Sequence, residues 1–145
     1  MEIDKSKGLT SSVKLVNDRL HFEGVVEGNN PVSIDYIPPL GDNLGYTSLE
    51  LLLLSLSSCL GSAMLLFLRR MQKAISGFEI TATGLRNQDH PTGFESILMT
   101  IHLKSSDASE ADLKKVAALA EEKYCPVWSM IKGNVIIDLE YTITR

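Results

Sequence analysis

LELLLLSLSSCLGSAMLLFLRR, residues Leu49 to Arg70, is the most apolar stretch of the 145-residue chain, and a lone cysteine, Cys59, sits near its centre. From Leu49 to Leu68 it carries one charge, Glu50. About 20 apolar residues are enough to cross a bilayer. Three features argue for a different use. Ser55, Ser57, Ser58, Gly61 and Ser62 crowd the middle, where lipid favours bulk. No second apolar span accompanies it. The segments on either side read as strands and an amphipathic helix. A helix that is apolar all round is equally a buried core helix, and the sequence predicts that here, with no membrane partner.

The punctuation fits a helix. Thr47 and Glu50 have the T-x-x-E spacing of a capping box, with Thr47 as N-cap. Arg69, Arg70 and Lys73 suit the negative end of the dipole, and Gly77 is the expected stop. A helix over 48–74 is roughly 40 Å long. One small sheet cannot cover that much apolar surface, so a partner subunit is expected. Ser55, Ser58 and Ser62 flank Cys59 at i−4, i−1 and i+3. They read as close helix packing, or as a cavity beside the sulfur.

Length and composition allow one domain, 1–145, able to bury a core without staples. The chain is 44% hydrophobic and 22% charged, with a net charge of −4. It has no basic run to bind nucleic acid and no acidic tail. The polar start, MEIDKSKGLTSS, lacks an apolar leader, so a cytoplasmic location is expected. Two cysteines make no disulfide framework and no metal-ligand spacing. The histidines, His21, His90 and His102, have no spaced partners, so metal binding is not expected.

The rest of the chain reads as strands and one more helix. Ser12–Val16 and Leu20–Gly24 form a hairpin around Asn17-Asp18, and Val32–Tyr36 is a third strand. Ile37–Gly45 is a loop into the long helix. Phe78–Leu85 and Phe94–Lys104 follow as strands, the second with Ile97, Met99, Ile101 and Leu103 on one face. Ser109–Tyr124 is an amphipathic helix that ends at Cys125-Pro126. Val127–Lys132 is a turn or short helix, and Val135–Thr144 closes the chain as a strand. The order β-β-β-α-β-β-α-β is α+β.

A buried mid-helix thiol is inert unless a cation lies near it. On its own Cys59 therefore reads better as structural, and so does Cys125. Together their surroundings say more. SLELLLLSLSSC, followed 66 residues later by AEEKYCPVWSMI, resembles the OsmC/Ohr superfamily of thiol peroxidases, over nearly the whole chain. The spacing from the glutamate to the cysteine looks more like the OsmC-like subgroup exemplified by YhfA than like the organic hydroperoxide resistance enzymes. The resemblance implies an intertwined homodimer with active sites at the subunit interface. Cys59 would attack an organic hydroperoxide, and Cys125 would resolve the sulfenic acid as a redox-active disulfide. A dithiol, dihydrolipoyl-like in the enzymes resembled, would restore both thiols, and the resemblance implies no metal or organic cofactor.

The family's activating pair maps onto Arg19 and Glu50. In the peroxidases proper a glutamate ten residues before the cysteine pairs with an arginine. Here that position is Leu49, and Glu50 stands nine residues before Cys59, half a turn away on an ideal helix. Its second reading is the arm of the capping box. Asp18-Arg19 at a turn also reads as a solvated pair. The alternative function is therefore a non-catalytic or redox-sensing dimer that binds an apolar small molecule.

Overall fold

The computed structural model describes residues 4–145; Met1, Glu2 and Ile3, the first residues of the polar N-terminus, lie outside the described residues. The chain forms two compact units, one ending at Leu51 and the other running Leu52–Arg145. The element order agrees with the α+β expectation, and the segment after Cys125 takes the short-helix form of its two readings.

The first unit is a three-stranded antiparallel meander of β1 (Ser12–Leu15), β2 (Phe22–Val25) and β3 (Val32–Ile34). Leu15 pairs with Phe22 and Phe22 with Ile34, which fixes the register. β3 is two residues shorter than expected because Asp35 and Tyr36 turn into the loop. That loop is organised on Asp35, which is only 3% exposed. Its carboxylate accepts backbone N–H bonds from Tyr36 (2.7 Å), Asp42 (3.2 Å) and Leu44 (3.1 Å). Gly41 has to be glycine, since a Cβ there would lie 2.1 Å from the Tyr36 carbonyl oxygen.

Burial opposes ionisation of Asp35, but the N–H groups of Leu44, Tyr36 and Asp42 and the charge of His21 outweigh it. The carboxyl is therefore held below the usual range. A lowered folded pKa means the anion stabilises the fold above the unfolded carboxyl pKa and stops doing so as pH falls. Asp35→Asn is expected to be less stable at neutral pH. Its urea midpoint should converge on the wild-type value below about pH 4. A constant gap down to the acid limit would deny the carboxylate this role.

α1 (Ser48–Arg70) leads from the first unit into the second. The capping box is present: Thr47 N–H donates to Glu50 Oε1 at 2.8 Å, and Glu50 N–H donates to Thr47 Oγ1 at 3.2 Å. The helix ends at Arg70, not at residue 74, and Gly77 begins the next strand rather than stopping the helix. The stop is a Schellman turn. Lys73 N–H bonds to Leu68 O and Gln72 N–H to Arg69 O, both at 3.0 Å. Gln72, with φ 59°, takes the left-handed position usually given to glycine.

In the second unit, β5 (Phe94–Lys104) is the central strand. It is antiparallel to β4 (Gly77–Arg86) and parallel to β6 (Ile136–Thr144). Its alternation places Ile97, Met99, Ile101 and Leu103 in the core, as the sequence predicts. The parallel pairing of β5 with β6 needs a crossover. α2 (Glu110–Leu119), a π-turn over Ala120–Tyr124 and α3 (Pro126–Ile131) supply it. Ser109 caps α2 with a capping box to Asp112.

α1 lays Leu56, Leu60, Met64 and Leu68 into this core. At Gly61 an added Cβ would come within 3.1 Å of the Phe78 ring, so the small residue admits β4 close to the helix. α1 is long and apolar enough to cross a bilayer, but its buried stripe is that of a helix packed on protein.

Candidate active site

Cys59 lies in the middle of α1, partly exposed. Cys125 lies at the other end of the second unit's sequence, where the crossover changes its winding. Its own N–H bonds to Ala120 O at 2.8 Å, a five-residue reach that closes the π-turn. Pro126 cannot extend that turn and opens α3 instead, with Cys125 as the N-cap residue. The kink turns the Cys125 side chain into the core, where it is 1% exposed.

The fold brings the two thiols together. Cys59 is close enough to Cys125 to perturb its ionisation, although 66 residues separate them. Burial above all pushes the Cys125 thiol up to about 11; the Trp128 amide opposes it, the neighbouring Cys59 adds to it, and the Val127 amide opposes it least. The pair is therefore asymmetric. Cys125 is a buried thiol that keeps its proton near neutral pH, and Cys59 is the sulfur that solvent reaches.

This asymmetry sets an expected labelling pattern. In native protein, iodoacetamide should modify Cys59 at neutral pH and leave Cys125 untouched until the pH approaches 11. Peptide mapping across a pH series checks it. Equal labelling of both at pH 8 would contradict the burial of Cys125.

Aromatic residues flank Cys125 in the chain. Trp128 is buried. Tyr124 is half exposed and meets Phe67 of α1 edge-on, with ring centroids 4.8 Å apart. The Arg70 guanidinium sits 5.4 Å from the centre of that Phe67 ring. Ser58 turns its hydroxyl back to the Ser55 carbonyl at 3.2 Å, which satisfies it within the helix. A groove of about 380 Å³ follows α1 along Leu54, Ser57, Ser58, Gly61 and Ser62, against Phe78 and Ile80. Cys59 does not line it, so this groove is not the cavity beside the sulfur that the serines suggested.

Arg19 and Glu50 are both placed in the first unit, and no hydrogen bond or ion pair joins them among the described residues. Glu50 is occupied by the capping box, where the Thr47 backbone N–H and then its hydroxyl hold its carboxyl below the usual range. Arg19 lies in the β1–β2 loop, as expected. Its guanidinium is ion-paired with Asp42 and donates to the Pro39 carbonyl. Asn17 supports this arrangement: its side-chain oxygen accepts from Arg19 N–H at 3.0 Å, and its amide donates to Asp42 Oδ2 at 3.4 Å. Sequence reasoning missed Asp35 and Asp42. The only signal for them was two carboxylates in the loop around Pro38-Pro39 and Gly41.

The family model for OsmC-like proteins matches residues 41–140, a span that includes both cysteines. The chain belongs to the OsmC-like family. No curated protein sequence matches it. Among solved structures, a hypothetical protein from Aquifex aeolicus is similar, with TM-score 0.82, 22% identity, and 99% of this chain and 98% of that one covered. An OsmC-like protein from Mycoplasma pneumoniae has TM-score 0.81 at 17% identity, over 95% and 98% of the two chains. The organic hydroperoxide resistance protein OhrB of Bacillus subtilis has TM-score 0.65 at 19% identity, over 93% and 98%. At these identities the likeness is one of fold. The OsmC-like fold is thus present along nearly the whole chain, in agreement with the reading of the paired cysteine segments.

Proposed function

We propose that this OsmC-like protein is a thiol-dependent peroxidase for organic hydroperoxides, working as a cytoplasmic homodimer. The observation that carries the proposal is the proximity of a partly exposed Cys59 to a buried Cys125. The hydroperoxide resistance proteins that share its fold point the same way. In this reading the Cys59 thiolate attacks the outer oxygen of the hydroperoxide. The O–O bond breaks, the alcohol leaves after taking up a proton, and Cys59 becomes a sulfenic acid. Cys125 then attacks that sulfur, water leaves, and a disulfide joins the two. A dithiol of dihydrolipoyl type reduces the disulfide and restores both thiols. The apolar helix that carries Cys59 and the aromatic residues that flank Cys125 in the chain favour an organic hydroperoxide over hydrogen peroxide.

Arg19 is the cation assigned to the thiolate, and Glu50 its carboxylate partner. To act so, Arg19 has to leave Asp42 and Pro39, and Glu50 has to give up its bonds to Thr47. The homodimer is supported by exposed apolar side chains on α1 (Leu54, Leu66) and on the first sheet (Val13, Leu15, Val25, Val32). Purified protein given cumene hydroperoxide and a dithiol should consume the peroxide catalytically and pass through a Cys59–Cys125 disulfide. Stoichiometric oxidation without turnover would favour the second reading, a redox-sensing dimer that binds an apolar molecule. The engagement of Arg19 by Asp42 is the observation on that side.

A further inference from the structure

We propose that the reducing thiol attacks Cys59, not Cys125, and that Cys125 is the leaving sulfur. The inference rests on the peroxidase reading above and adds the direction in which electrons enter the disulfide. Its basis is the unequal exposure of two neighbouring sulfurs. Thiol–disulfide exchange requires the attacking sulfur to reach the atom it bonds. Cys125 is 1% exposed, capped by the α3 turn that carries the buried Trp128. Cys59 is the open end of the pair.

The step balances as follows. A thiolate of the dithiol bonds to the Cys59 sulfur, and the Cys59–Cys125 bond breaks. Its electron pair leaves with Cys125, which takes a proton. The dithiol's second thiol loses its proton and attacks the reductant's own sulfur in the mixed disulfide. Cys59 leaves as a thiolate, and the reductant departs as a cyclic disulfide. The dithiol has lost two electrons and two protons; the protein has gained both electrons and one proton, on Cys125, and the other proton goes to solvent.

Burial has a second consequence here. A Cys125 thiol pushed up to about 11 is a slow leaving group, because a thiol of low pKa departs faster. Once released it takes up a proton, which slows its return attack without abolishing it. The first exchange is therefore slow in both directions. A monothiol leaves an adduct standing on Cys59, whereas a dithiol clears the adduct within the same encounter.

The test uses wild-type protein. One equivalent of cumene hydroperoxide is added, and intact mass confirms the loss of two hydrogens. 2-Mercaptoethanol is added briefly, the reaction is quenched in acid, and free thiols are labelled with N-ethylmaleimide in denaturant. Peptide mapping then locates the adduct. The expected result is mercaptoethanol on Cys59 and maleimide on Cys125, in about tenfold excess or more over the reverse pattern. The reverse pattern, or an even mixture, overturns the inference. If the hydroperoxide forms no disulfide, the peroxidase reading falls. The same mapping on diamide-oxidised protein then still decides which sulfur is attacked.

Discussion

Cys59→Ser is expected to lower the rate of organic hydroperoxide consumption by about 10³-fold or more, to the level of free dithiol in buffer. A serine hydroxyl does not ionise near neutral pH, so nothing replaces the attacking thiolate. Cys125→Ser should behave differently. It keeps the accessible sulfur and so keeps the first step, giving a burst of one alcohol per protomer. It cannot form the disulfide, and its sulfenic acid proceeds to the sulfinic state with excess hydroperoxide. Stopped-flow measurement of peroxide loss, with intact-mass analysis, separates the two. A Cys59→Ser protein as fast as wild type would end the peroxidase proposal. A Cys125→Ser protein that cycles undiminished on dithiol would remove Cys125 from the mechanism and leave Cys59 in it.

What the sequence made legible was whatever depends on periodicity and caps. The two-residue alternation of Phe94–Lys104 named the core face of β5, because a strand buries every second side chain regardless of what lies beyond it. Thr47 and Glu50 named the start of α1 because both halves of the capping box are local. The end of α1 was less legible. A polar residue, Gln72, takes the left-handed turn in place of glycine, and the nearest glycine, Gly77, belongs to β4. The π-turn at Ala120–Tyr124 leaves no trace in a 3.6-residue pattern beyond the Cys125-Pro126 break. The partners of Arg19 were illegible for another reason. Asp42 and Pro39 reach it through a loop whose path is set by the buried carboxylate of Asp35, and no spacing rule connects residues 19, 35 and 42. The proximity of Cys59 to Cys125 was likewise long-range, and only the family resemblance joined the two.

The question posed by the apolar helix has a measurable answer, because its faces are used differently. Leu60 is fully buried in the core of the second unit. Leu60→Ala removes three carbons from a packed site and is expected to cost about 2–5 kcal/mol of unfolding free energy, read from urea denaturation. On another face Leu54, Ser58, Ser62 and Leu66 recur every fourth residue, all exposed, the two leucines at 51% and 56%. Leucines at the ends and hydroxyls at the centre of one stripe let a second helix approach closely in the middle and bury its flanks. In the isolated chain Leu66→Ala removes an exposed side chain and should change stability by no more than about 0.5 kcal/mol. Leu66→Glu should instead act on association. Burying an unpaired carboxylate against an apolar face should cost about 2 kcal/mol or more, roughly thirtyfold in the dimer dissociation constant. Sedimentation velocity over a dilution series measures that constant for wild type and variant. If Leu66→Glu associates as wild type does while Leu60→Ala unfolds early, the exposed stripe faces water, and α1 is covered by this chain alone.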